Sequence, residues 1–348
     1  MTETTSPPSA DPANATRKKT SSRIVWIILG AIVVVWGTAL IFFRPTLQAN
    51  FWTWRLASAD QPDHDRLVGS LVALGEPAIG PAIRLTRSDK AESRERGLEV
   101  LIGLVQRQVQ ERVERVMKTK SQGKVARAEF AEGPIRIDPR MAERFTELLD
   151  DPVPAVQAQA IEGVTAGHVE GAVDTLARLA IHTADPAVGS AATVAIDRVI
   201  SGPAAEATLR KILAEAAAPD PRAQAIASLG MYPSAVTQRA IAAALSDDRR
   251  VQVQPESMLF DPQLAMQLAA QFDRLRGRAA TQPQGKPQSQ PGESGPAKPV
   301  TVGDYAARML EMLTGRSLGI LSNRPAAERA KIIEQYRAAV EGSTSRPD

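Results

Sequence analysis

Asp151-Pro152-Val153-Pro154, Asp185-Pro186-Ala187-Val188 and Asp220-Pro221-Arg222-Ala223 are three versions of one corner, about 34 and 35 residues apart by position. An apolar run with helical spacing precedes each Asp-Pro pair, and an alanine-rich run follows it. A near-constant period in this range marks a repeat array, in which each unit is too small to bury its own apolar face and must stack on its neighbours. The dipeptide suits a corner between two helices. The carboxylate accepts from the free N–H groups of the new helix, and proline fits the first helical position, where its missing N–H costs nothing. The spacing predicts helix pairs over 141–149 with 152–164, 173–181 with 186–200, and 204–213 with 221–229, and residues 238–245 open another. The expectation is an all-α chain with an α-solenoid behind one N-terminal transmembrane helix.

Composition agrees with that class. The 348 residues are rich in Ala, Leu, Val, Arg and Glu, and only 4% are aromatic, which favours helices over sheets. There is no cysteine, so disulfides, thiolate metal sites, a cysteine nucleophile and lipid attachment to cysteine are excluded. Net charge is +3, and Arg17, Lys18, Lys19 and Arg23 against Glu3 and Asp11 account for most of it. The remainder lacks the strong basic stripe of a nucleic-acid binder, and no nucleic acid is expected as a partner.

Working outward toward the N-terminus, residues 1–22 carry no apolar period and read as a disordered cytoplasmic tail. Ile24 to Phe43 (IVWIILGAIVVVWGTALIFF) is an uncharged apolar run of 20 residues by position, about 30 Å as a helix, which matches the hydrocarbon core of a bilayer. A buried core helix of that length would show a polar face, and a cleavable signal peptide would end in a small-x-small site that Leu47-Gln48-Ala49 does not supply. The basic residues before the span outnumber Arg44 and Arg55 after it, which places the N-terminus in the cytoplasm and the repeats outside it. The expected location is a single-pass protein of a bacterial inner membrane. All four tryptophans, Trp26, Trp36, Trp52 and Trp54, lie in or just beyond the span, and Phe51, Trp52 and Trp54 read as an interfacial aromatic belt in the juxtamembrane segment 44–61. The rest of the chain therefore lacks the tryptophan platforms on which sugars or bases stack.

The repeats start near Pro62 and are expected to run to residue 278. The stretch 71–104, LVALGEPAIGPAIRLTRSDKAESRERGLEVLIGL, resembles a HEAT repeat of the short bacterial type, also found in phycobilisome-lyase-like proteins. The Leu-Gly-x-Pro-Ala turn into the first helix and the Asp start of the second carry the likeness. The resemblance implies a solenoid of HEAT-like helix pairs and a binding style, and no reaction. TPR units share the period but need aromatic and Gly/Tyr positions absent here. Helical-repeat metalloenzymes resembling deoxyhypusine hydroxylase use His-Glu dipeptides, and none of His64, His168 or His182 is followed by Glu. A bilin substrate has no support beyond the generic repeat.

Two interruptions break the pattern. Residues 118–138 read as an insertion with a short extended piece at 135–137, and the stretch from Arg107 to Arg127 holds seven basic residues against Glu111 and Glu114. Residues 262–276 resume a helical pattern, and 279–300 form a Pro/Gln/Gly-rich linker. Beyond it, residues 301–342 read as a C-terminal helical pair that covers the open end of the core. MLTGRSLG (312–319) and RPAAERAKIIEQYRAAV (324–340) resemble the closing unit of some bacterial HEAT-like proteins.

No catalytic residue, cofactor site or metal set emerges. Phosphate-loop and nucleophile-elbow spacings are missing, and no small-molecule substrate is expected. The function read from the sequence is a membrane-anchored scaffold or adaptor for a protein partner, held to the membrane through Ile24 to Phe43. The candidate partner-binding residues are Gln157, Glu162, Asp197 and Arg198 on the second helices. An envelope enzyme with a site around 118–138, or a passive structural spacer, are the competing readings.

Overall fold

A computed structural model describes residues 29, 31, 43–121, 137–252, 300–315, 318 and 321–344. The expected tail, nearly all of the expected span and linker, and residues 262–276 lie outside the described residues. Among the described residues, no helix is long and apolar enough to cross a membrane.

The chain divides into two compact units, Met1–Pro81 and Ala82–Asp348. In the first, α1 (residues 43–56) and α2 (Gln61–Leu74) are followed by the opening turns of α3 (Glu76–Thr86). Ala49, Leu56, Leu71 and Ala78 are fully buried there, and Arg55 reaches Asp63 across the α1–α2 turn at 3.4 Å.

The second unit holds the array. Its helices are α4 (Ala91–Ser121), α5 (Pro139–Leu148), α6 (Pro154–Ala166), α7 (Val173–His182), α8 (Pro186–Val199), α9 (Gly202–Glu215), α10 (Pro219–Leu229), α11 (Ala235–Ala243), α12 (Val302–Thr314) and α13 (Ala326–Thr344). Two rows result. α4, α6, α8, α10 and α12 pack in sequence as the second-helix row, and α7, α9 and α11 run beside them, with α13 against α11. The fold is all-helical among the described residues, apart from one antiparallel bridge between Arg250 and Thr301.

Row spacing follows from small residues. A Cβ on Gly163 of α6 would fall 2.4 Å from the Phe145 ring of α5, and one on Gly189 of α8 would fall 2.5 Å from Pro221 of α10. Larger residues there would push the helices apart and empty the core around Phe145, Ile196 and Leu209, which are fully buried.

The Asp-Pro corner has three local structures. Asp185 is the expected cap: its Oδ1 accepts from Ala187 N at 2.9 Å and Val188 N at 3.1 Å, and Pro186 begins α8. Asp151 lies ahead of its helix, which starts at Pro154. Its Oδ1 accepts from Val153 N at 2.9 Å, and its carboxylate grips Arg94 of α4, with Oδ2 2.8 Å from Nε. Asp220 has moved inside, because α10 starts at Pro219. It is 1% exposed and accepts from Gln252 N at 2.7 Å.

The insertion is shorter at both ends than the sequence pattern indicates. α4 continues through Lys118 to Ser121, and Asp138 is the N-cap of α5, accepting from Arg140 N at 2.9 Å. The side-chain hydrogen bond from Arg140 holds the Asp138 carboxyl below its ordinary range. Ile137 is buried coil, with the rest of the extended piece outside the described residues.

The C-terminal pair sits differently from a cap beyond a linker. α12 packs on α10 and α11, so it occupies the second-helix place of the α11 repeat. Residues 253–299 therefore interrupt a corner within the array. Asp247 marks that corner. Its carboxylate lies 2.9 Å from Arg222 Nε and 2.7 Å from Arg249 Nη2. Burial pushes the Asp247 carboxyl up, but the Arg249 hydrogen bonds and the two guanidinium charges outweigh it and hold it below the ordinary range. A capping box between Thr301 and Asp304 restarts the chain as α12. Arg337 of α13 then donates to the Ala243 carbonyl at 3.1 Å, closing the end of α11.

These corners differ in what they lose on truncation. Asp185→Ala removes a cap, and is expected to cost about 1 kcal/mol. Asp151→Ala leaves the Arg94 guanidinium, whose side chain is 12% exposed, without its carboxylate and with only the Ser88 and Asp89 carbonyls as acceptors, and is expected to cost more, about 3 kcal/mol. Urea midpoints at constant m check the order. Equal losses would show that the ion pair does not tie α4 to the next repeat.

Candidate functional site

Alanine content decides where the surface of the array is open. Helices α6 and α8 are adjacent, and their small side chains leave a groove of about 500 Å³ between them, with α10 closing one side. Ala158, Ile161, Glu162 and Thr165 line it from α6 at helical spacings of 3 and 4. Ala187, Ser190, Ala191, Val194 and Arg198 repeat that pattern on α8, and Gln224 enters from α10. Ile161 and Ala195 are buried in the floor, while Ala158, Ala187, Glu162 and Arg198 are exposed at the rim. The site is an apolar trough bearing one acidic and one basic side chain.

Of the four residues singled out from the sequence, the structure brings Glu162 and Arg198 to this groove. Gln157 is half-buried and does not line it. Asp197 faces the next repeat, where its Oδ1 accepts from the Tyr232 hydroxyl at 2.9 Å. Burial raises the Asp197 carboxyl above its ordinary range, against the pull of that hydrogen bond. Burial and the Asp197 contact push the Tyr232 hydroxyl up to about 12. Beside this pair, Glu206 of α9 accepts from the Thr237 hydroxyl at 2.8 Å and from Ser234, the N-cap of α11. Those two hydrogen bonds hold Glu206 below its ordinary range. Asp197 ties α8 to the turn between α10 and α11, Glu206 ties α9 to the start of α11, and neither lines the groove.

From the sequence, the alanines of the second helices, Ala158, Ala191 and Ala195 among them, read as packing between stacked units and not as part of a site. Their signal was Ala158–Ile161–Thr165 and Ala187–Ala191–Val194, a second apolar face on helices whose first face already met the core. Among the described residues, no group of three or more His, Asp or Glu is placed to hold a metal ion.

A family model described as HEAT repeats matches residues 142–230, the three helix pairs from α5 to α10. The chain is HEAT-like over that stretch, and the groove falls inside it. No curated protein matches the chain. Among solved structures, the crystal structure of an engineered protein from a structural genomics programme aligns with 13% identity over 77% of this chain and 96% of its own, at a TM-score of 0.36.

The sign of the Asp197 shift sets a pH dependence. A carboxyl whose folded pKa is raised stabilises least above that pKa and gains as pH falls through it toward its unfolded value. Asp197→Asn keeps an acceptor for Tyr232 and removes the buried charge. At pH 7 the variant is expected to unfold at a urea concentration no lower than the parent's, and the gap is expected to narrow on acidification. A variant clearly less stable at pH 7 would refute this.

Proposed function

We propose that this chain is an adaptor that captures a helical segment of another protein in the groove between α6 and α8. The observation that carries the reading is the groove between α6 and α8, with Ile161 and Ala195 buried in its floor, Ala191 and Val194 half-buried along it, and Glu162 and Arg198 exposed beside it. HEAT repeats generally act as protein-interaction scaffolds. A groove between two helices takes an amphipathic helix, whose apolar side chains at i, i+3, i+4 and i+7 fill it. Ala158, Ala187 and Ala191 keep the trough shallow enough for a second backbone to approach. The opposite rim charges favour a segment with a base near Glu162 and an acid near Arg198, which fixes its direction. The reading is one of binding, not catalysis.

We place the adaptor on a membrane. The support is the uncharged run from Ile24 to Phe43 and the excess of basic residues ahead of it, which favour a cytoplasmic N-terminus and extracytoplasmic repeats. Anchoring raises the effective concentration of the groove for partners at the same surface.

A photocrosslinking residue at Ala158 or Ala191 is expected to yield a discrete partner adduct in cells. The same residue at Asp174 or Lys211, exposed on α7 and α9, is expected to yield none. Ala191→Trp fills the trough and should abolish the adduct formed at Ala158 without moving the urea midpoint. Equal labelling at all four positions, or an adduct indifferent to Ala191→Trp, would leave the chain a passive spacer. The orientation has its own test. A phosphatase that folds only outside the cytoplasm, fused after Asp348, is expected to be active, and an inactive fusion of normal abundance overturns the topology.

A further inference from the structure

Helix α1 has two faces of different character. Ala49 and Leu56 are 0% exposed and Thr53 is 7% exposed. On the opposite side Phe43, Leu47, Phe51 and Trp54 are 62%, 54%, 53% and 72% exposed. Their spacings of 4, 4 and 3 residues place them in one stripe down the helix. The Phe51 and Trp54 rings stand with centroids 6.2 Å apart. Trp52, which the sequence grouped with them, is half-buried and lies off the stripe. Exposed Arg44 and Arg55 lie along one flank of the stripe, with Arg55 also paired to Asp63 at 3.4 Å.

We propose that this stripe is a lipid-binding surface that lays α1 along the membrane. The inference rests on the anchored reading above and deepens it. Two observations select lipid over a protein partner. The uncharged run of residues 24–43 ends on Phe43, the first member of the stripe, so the stripe continues directly from the segment proposed to leave the bilayer. Its composition, two aromatic rings at the far end with flanking arginines, suits the headgroup layer. There, Trp and Phe bury ring area, while arginines bury their stems and keep their charge wet. Length then sets the orientation. From Phe43 to Trp54 the helix rises about 16 Å, whereas the interfacial layer on each side is about 5–8 Å deep. Upright, the helix would hold Trp54 in water. Only an axis near the membrane plane covers all four side chains at once.

The test uses the full chain in phosphatidylcholine–phosphatidylglycerol vesicles, with three of the four tryptophans changed to phenylalanine. One version keeps Trp54, one Trp52 and one Trp36. Quenching is read with lipids brominated high on the acyl chain and with aqueous acrylamide, and circular dichroism checks the fold. Trp54 is expected to lose emission to the bromolipid and to resist acrylamide, and Trp52 to lose much less to the lipid. Trp36 quenched by bromolipid while Trp54 yields to acrylamide keeps the anchor and overturns the stripe. Trp54 resistant to both quenchers means that protein covers it, a second copy or a partner, and also overturns the proposal. Trp36 and Trp54 both untouched by bromolipid remove the anchor itself.

Discussion

A repeated helix pair has a recurrent problem at its corner, where fresh backbone N–H groups need acceptors as the chain reverses. At two of its corners this array solves it with a carboxylate that also grips the preceding repeat. Asp151 holds Arg94 and Asp247 holds Arg222, each time a corner acid taking a guanidinium from the first turns of the second helix before it. Those pairs make a corner and an inter-repeat contact out of one side chain. They belong to the first and last corners of the α5–α12 array. At the two between, Asp185 caps its own helix and Asp220 turns inward to Gln252. There close packing, with Gly189 against Pro221, adds to those contacts in holding the repeats together.

Close packing explains why the candidate site lies where it does. Small residues bring the second helices together and leave little side chain to cover the outer seam, so the seam stays open as a trough. Polar groups nearby are absorbed by the frame. Asp197 is spent on Tyr232, and Glu206 on Ser234 and Thr237. Glu162 and Arg198 are exposed at the rim, on neighbouring helices.

The array was legible because its signals are local. Apolar spacing within ten residues, proline at helix starts and Thr314-Gly315 at a helix end each act on their own neighbourhood, and the helices fall close to where those signals put them. Register at the corners was less legible. One Asp-Pro dipeptide serves as a cap, a pre-helical bend and a buried first-turn acid, and the choice depends on Arg94 or Gln252, which are distant in sequence. The reach of α4 past Lys118 was hidden for another reason. Thr119, Lys120 and Ser121 offer no apolar position, so no apolar rhythm announces the last turn. The site was half legible: charge drew attention to Glu162 and Arg198, while the alanine floor carries no chemical label.

The corner at Asp247 has a consequence for how the chain is made. Up to α10, each repeat can form from residues that are adjacent in sequence as they leave the ribosome. The repeat of α11 cannot, because its second helix is α12. The two are joined only after residues 253–299 have been synthesised, when Val251 N meets the Val300 carbonyl at 3.1 Å and Val302 N meets that of Arg249 at 3.1 Å. Until then, the faces of α10 and α11 that α12 will cover are bare. That interval is when a nascent chain is most open to mispairing with another copy. The closing stitch is non-covalent and local, so the length of the intervening segment has only a weak, logarithmic effect on its stability. The array therefore accepts an insertion at this corner at little thermodynamic cost, and bears that cost in the order of its assembly.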